Sequence, residues 1–140
     1  MLVNGISSHE VRETAILATR YSDSDKISSI YDFVKAHTKY TPDPLGMELF
    51  ISPQKMIEKI RMTGIAEGDC DDLSLLTAAL LGSIGYSVRL ALVDLEGYGF
   101  DHIFCQVYSE NLQAWLNCDT SSSNPVGWEI QYRKGEYIVV

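Results

Sequence analysis

At Gly85 the spacing of apolar residues changes, and this change limits the possible folds more than any other feature of the chain. Upstream, apolar residues recur every three to four positions, as on one face of a helix. SSHEVRETAILATRY has serines where an N-cap belongs, an acidic first turn, and Val11, Ala15 and Ala18 at helical spacing, which predicts a helix from about Ser8 to Tyr21. SDSDKISSIYDFVKAHTKY repeats the pattern with Ser24 or Asp25 as cap and Ile27, Ile30, Tyr31 and Val34 on one stripe, until the prolines of TPDPLG stop it. Ser52 and Pro53 open a third helix through Gln54, Met56, Ile57 and Ile60, ending near Gly64. Asp69 caps a fourth, with Asp72 at its third position. Its body, LSLLTAALLGSI, is apolar nearly all round, so it is expected to be buried on most faces and to stop at Gly85.

Downstream of Gly85 the period is two. SVRLALVD, HIFCQVY, AWLNCDT and YIVV read as strands, joined by GYG, SENLQ, SSSNPVG and RKGE. Helices first and strands afterwards predict an α+β fold, with N-terminal helices packed on a mostly antiparallel sheet. The 140 residues fit one domain spanning 1–140. The composition, 46% hydrophobic and 21% charged without repeats, is that of a folded chain.

The net charge of −8 and the lack of any Lys or Arg cluster argue against nucleic acid and anionic membrane as partners. MLVNGISSHE has neither a basic n-region nor an apolar h-region, and no apolar run approaches a membrane span, so a cytoplasmic location is expected. Three cysteines without CxxC or metal spacing predict free thiols in a reducing compartment, with no metal and no cofactor. Carboxylates two apart in DCDD and DSDK raise calcium as an alternative. However, DSDKISSIYDF lacks the glycine at position six and the glutamate at twelve of an EF-hand loop, and helix capping accounts for the same residues.

Cys70 lies in GDCDDLSLL, at the mouth of the fourth helix. Carboxylates flank it, but backbone N–H groups and the positive end of the helix dipole favour a thiolate there. Asp69 and Asp72 are accounted for by capping and Asp71 by solvent. In the hairpin formed by HIFCQVY and AWLNCDT, a two-residue turn at Glu110 and Asn111 would set His102 directly opposite Asp119, within hydrogen-bond range. The same register sends Cys105 and Cys118 to the other face with Ile103, Val107 and Leu116 as core thiols. It leaves Phe104 and Trp115 on the His102 face, as core or as cleft walls. Cys70, His102 and Asp119 then form a set of nucleophile, base and orienting residue.

GDCDDLSLLTAALLGSIGYSVRLALV, followed by DHIFCQVY and WLNCDTS, resembles the core of the transglutaminase-like superfamily of cysteine enzymes. The shared pattern is a G-x-C helix start, a glycine before the next strand, an H-x-[WF]-x-x-V strand and a D-x-[ST] strand end. IYDFVKAHTKYTPDP resembles the family's upstream helix and tyrosine, and the likeness runs from about Ile30 to Ser121. It implies a papain-like α+β fold in which Cys70 matches the nucleophile, His102 the base and acid, Asp119 the residue orienting the imidazole, and Ser74 the small residue one turn after the cysteine. The family's side-chain oxyanion donor has no clear equivalent; Gln54 and Tyr40 are the candidates. The implied activity is thiol-dependent acyl transfer on the carboxamide or ester of a peptide or protein, with hydrolysis preferred over transfer to an amine. The alternative is an idle domain that binds peptides.

Overall fold

The computed structural model describes residues 2–20, 25–42 and 51–139. The helical half contains α1 (Leu2–Ser7), α2 (His9–Arg20), α3 (Lys26–His37), α4 (Pro53–Thr63) and α5 (Cys70–Ser83). Local chemistry explains several of the ends. Asp25 caps α3 by accepting from the Ser28 amide. Ser52 caps α4 by accepting from Lys55, with Pro53 in its first turn, and Gly64 closes α4 in the left-handed conformation, φ 86°. The Ser8 to Tyr21 expectation corresponds to α2, and Tyr21 lies outside the described residues.

Helix α1 has no amphipathic signature and carries a glycine. It forms because Gly5 lets it approach α5 closely: a Cβ there would sit 3.0 Å from Ala79 Cβ and 3.1 Å from Pro53 Cγ. Tertiary packing outweighs the cost of about 1 kcal/mol for a helical glycine.

Helix α5 is the axis of the core and packs against the other four helices and the sheet. Leu73, Leu76, Leu80 and Leu81 are each at most 1% exposed, and burial of one such side chain contributes about 1.5–3 kcal/mol. The strands β3 (Val88–Asp94), β4 (His102–Ser109), β5 (Ala114–Cys118) and β6 (Lys134–Val139) form an antiparallel sheet in the order β5-β4-β3-β6. Its inner face gives Val88, Leu90, Cys105, Val107 and Cys118 to the α5 core. On its outer face Ala91, Val93 and Phe104 form a smaller cluster under Ile130. A parallel pair, β1 (Thr38–Tyr40) with β2 (Ala66–Gly68), sets Tyr40 abreast of Gly68. The sequence pattern does not announce these three-residue strands.

The β4–β5 register differs from the expected one by two residues. Cys105 pairs with Cys118 and Ser109 with Ala114, so the loop spans Glu110 to Gln113 rather than being a two-residue turn at Glu110 and Asn111. A two-residue turn needs positive φ at its centre, usually supplied by glycine, and Glu110 is unsuited to that. Instead Gln113 takes the left-handed conformation, φ 52°. His102 and Asp119 are therefore diagonal neighbours, not directly opposed. A shift of two preserves which face each side chain occupies, so the expected separation of thiols and histidine survives.

Candidate active site

Cys70 is the first residue of α5, and its carboxylate neighbours are occupied with backbone amides. Asp69 Oδ1 accepts from the N–H groups of Asp71 at 3.1 Å and Asp72 at 3.2 Å, while Asp72 Oδ2 accepts from the Asp69 N–H at 3.1 Å, completing a capping box. Asp72 Oδ1 also accepts from the Ile51 N–H at 2.9 Å. Gly68 makes room for the box, because a Cβ there would lie 2.7 Å from Asp72 Cβ.

Across from Cys70, His102 opens β4. Its Nε2 lies 2.8 Å from Asp119 Oδ2, and Cys70 is near enough to the ring to help raise its pKa, so the thiol neighbours the pair. With Nε2 on the carboxylate, Nδ1 is the nitrogen left for the sulfur. The hydrogen bond to Asp119, then the neighbouring Cys70 side chain, raise the imidazole to about 10 against the opposing effect of burial. Burial alone would raise the Asp119 carboxyl. The hydrogen bonds from His102 and Ser121 outweigh it and hold the group below its ordinary value.

Several contacts fix this pair. Asp119 Oδ1 accepts from the Ser121 N–H at 3.1 Å and its Oγ at 2.6 Å. Ser74 Oγ donates to the Ile103 carbonyl at 3.1 Å, tying α5 to the strand residue after His102, and the Thr77 and Thr120 hydroxyls meet at 2.8 Å beside Asp119. The Phe104 ring, fully buried, stands with its centroid 5.8 Å from that of the imidazole. Phe104 is thus core rather than cleft wall. Trp115 is remote from His102 along the sheet, packed on Tyr108 and under the Arg89 guanidinium.

The other two thiols are sealed. Cys105 and Cys118 are fully buried, and burial pushes Cys105 far up and Cys118 to about 12. Of the two oxyanion candidates, Gln54 is on the side of α4 that meets Glu10 of α2. It lines a depression with Glu10, Ile57, Glu58, Arg61 and Met62, and its Oε1 is buried without a partner. Tyr40 lies on β1 abreast of Gly68, two residues before Cys70. Among the described residues no group of three or more His, Cys, Asp or Glu side chains is arranged to hold a metal ion, and no helix is long and apolar enough to cross a membrane. Sequence reasoning missed the contribution of α3, where Tyr31 and Lys35 reach the turn after Asp119. The only sequence signal was their spacing of four on one helix face.

No family model matches the chain, and no curated protein matches it. Solved structures do. A candidate cysteine protease from Cytophaga hutchinsonii superposes with a TM-score of 0.59 at 14% identity, over 86% of this chain and 42% of that one. LapG of Legionella pneumophila, treated with EGTA, gives 0.52 at 16% identity, over 82% and 73% respectively. Rad4–Rad23 bound to a 6-4 photoproduct lesion gives 0.50 at 12% identity, over 90% and 34%. The chain thus spans less than half of the first of these structures. At such identities the likeness concerns the fold, which is the papain-like, transglutaminase-like α+β fold of cysteine proteases.

Proposed function

We propose that this chain is a single-domain cysteine-dependent acyl-transfer enzyme of the transglutaminase-like superfamily, with Cys70 as nucleophile, His102 as acid and base, and Asp119 as the residue that orients His102. The observation carrying the proposal is the imidazole bound to Asp119 by Nε2 at 2.8 Å, with Cys70, the first residue of α5, close enough to help raise its pKa. An imidazole raised to about 10 is an imidazolium at neutral pH, the partner that stabilises a thiolate. The fold shared with cysteine proteases supports the same reading, and the substrate class it favours is the carboxamide or ester of a peptide or protein.

In this mechanism the Cys70 sulfur attacks the carbonyl carbon and the C=O electrons move to oxygen. The N–H of Cys70, at the positive end of α5, faces the oxyanion, with Tyr40 as the side-chain donor that the β1–β2 pairing favours. The His102 proton passes to the leaving amine or alcohol as the C–N or C–O bond breaks, giving a thioester. The neutral imidazole then takes a proton from water, whose oxygen attacks the thioester; the C–S bond breaks, the acid leaves and the thiolate–imidazolium pair is restored. Cys70 is only partly buried, so water reaches the thioester, which favours hydrolysis over transfer to an amine.

The test is hydrolysis of 4-nitrophenyl acetate, followed by release of 4-nitrophenolate. Wild type should turn over and Cys70→Ala should lose at least about 10³-fold in kcat/KM. Equal rates in the two proteins would remove Cys70 from the reaction.

A further inference from the structure

Asp119 works only if the turn that carries it keeps its place, and that turn is gripped from outside the site by α3. Tyr31 and Lys35, one helical turn apart, face residues 120–124. The Tyr31 hydroxyl donates to the Asn124 carbonyl at 2.5 Å and lies 3.5 Å from the Ser122 carbonyl. Lys35 Nζ donates to the Ser122 carbonyl at 2.6 Å and reaches the Thr120 carbonyl at 3.4 Å. These carbonyls belong to residues just beyond Asp119, and among the described residues the backbone there has no strand partner: the β4–β5 ladder ends at the Cys105–Cys118 pair. Inside the turn, Ser121 holds one carboxylate oxygen and Ser122 Oγ donates to the Asp119 carbonyl at 3.3 Å.

We propose that Tyr31 and Lys35 are positioning residues, which clamp the carbonyls of the 120–124 turn and so keep the Asp119 carboxylate on His102. The role assigned to Asp119 rests on the proposed function; the clamp itself rests on the hydrogen bonds. The chain of support runs from α3 to the turn, to Asp119, to His102, to Cys70. Tyr31 lies close enough to Asp119 for the carboxylate to contribute, after burial, to raising the phenol above its ordinary value.

The clamp can be tested with Tyr31→Phe, which removes only a hydroxyl, Lys35→Met, which keeps the aliphatic stem, and the double variant, each checked for its fold by circular dichroism. The primary readout is the titration of His102, followed through its ring carbon by NMR. If the clamp aims Asp119, the midpoint should move toward the ordinary histidine value in each single variant and furthest in the double variant. In 4-nitrophenyl acetate hydrolysis kcat should fall about tenfold in the double variant with KM unchanged, the pattern of a misplaced group rather than of lost binding. Lys35→Arg should restore much of both. A His102 midpoint unchanged in Tyr31→Phe and in the double variant would overturn the inference, whatever happens to stability. Should wild type show no hydrolysis, the enzyme reading falls, while the titration still decides whether Tyr31 and Lys35 position Asp119.

Discussion

The mouth of α5 and the inner face of the β4–β5 hairpin each hold cysteine, and the two regions treat the thiol in opposite ways. At the helix mouth Cys70 is partly exposed, begins a helix and neighbours an imidazole whose pKa is raised to about 10. On the sheet, Cys105 and Cys118 face each other with no exposed surface and with apolar Val107, Leu116 and Ile103 around them. In the proposed function reactivity belongs to the first environment, because a thiolate is the nucleophile and needs charge and water to support it. In the second, sulfur serves as a small apolar group. Asp119 follows Cys118 directly, so one strand end divides core from site within a single peptide bond.

The largest effect that would break this contrast is on turnover. Cys105→Ala and Cys118→Ala should hydrolyse 4-nitrophenyl acetate within a few-fold of wild type, whereas Cys70→Ala should lose at least about 10³-fold. Loss of turnover in a folded Cys105→Ala protein would move the chemistry to the sheet.

The next effect is on labelling. Brief iodoacetamide treatment of the native protein, read by peptide mass spectrometry, should modify Cys70 at least about a hundredfold faster than the sheet thiols, because thiolate fraction and access set the rate. Preferential modification of Cys118 would mean that the hairpin faces are reversed.

Stability should show the converse ranking. Cys118→Ser buries a hydroxyl among apolar side chains and should cost about 1–3 kcal/mol in urea unfolding, while Cys70→Ser, at a partly exposed helix start, should cost well under about 1 kcal/mol. Equal costs would contradict the assignment of core and site.

The smallest expected effect is a pH slope. His102 titrates at 6.5 when unperturbed and at about 10 in the fold, so its contribution is fully present below 6.5 and is lost as the pH rises to about 10. The excess stability of wild type over His102→Ala, measured by urea unfolding, should therefore shrink from pH 6 to pH 10. An excess that grew over this window would refute the ion pair.

Much of this contrast is legible in the sequence, because it depends on local rules. Asp25, Ser52 and the Asp69–Asp72 capping box each obey short-range hydrogen-bond chemistry that can be read within four residues. The period of two assigns Cys105 and Cys118 to one face and His102 to the other, and a register error of two leaves that assignment intact. What escaped the reading depends on contacts between distant segments. Gly5 looks like a helix breaker until Ala79 and Pro53 are beside it, and the β1–β2 pair exists only because α3 and α4 bring its strands together. The four-residue hairpin loop carries no glycine signal, because Gln113 supplies the positive φ. The clamp of Tyr31 and Lys35 spans more than eighty residues of chain, so their spacing of four on α3 gives a shared face but not the turn they grip.

The most direct test of the central claim, that Cys70 and His102 act as one unit, is the pH dependence of Cys70 alkylation by iodoacetamide in wild type and His102→Ala. An isolated cysteine gains reactivity as it ionises near about 8.5. Wild type should already react rapidly at pH 7, and His102→Ala should react at least about tenfold more slowly there and recover at alkaline pH, with an unchanged circular dichroism spectrum. Two superimposable curves would show that the thiol and the imidazole do not couple, and would contradict the account.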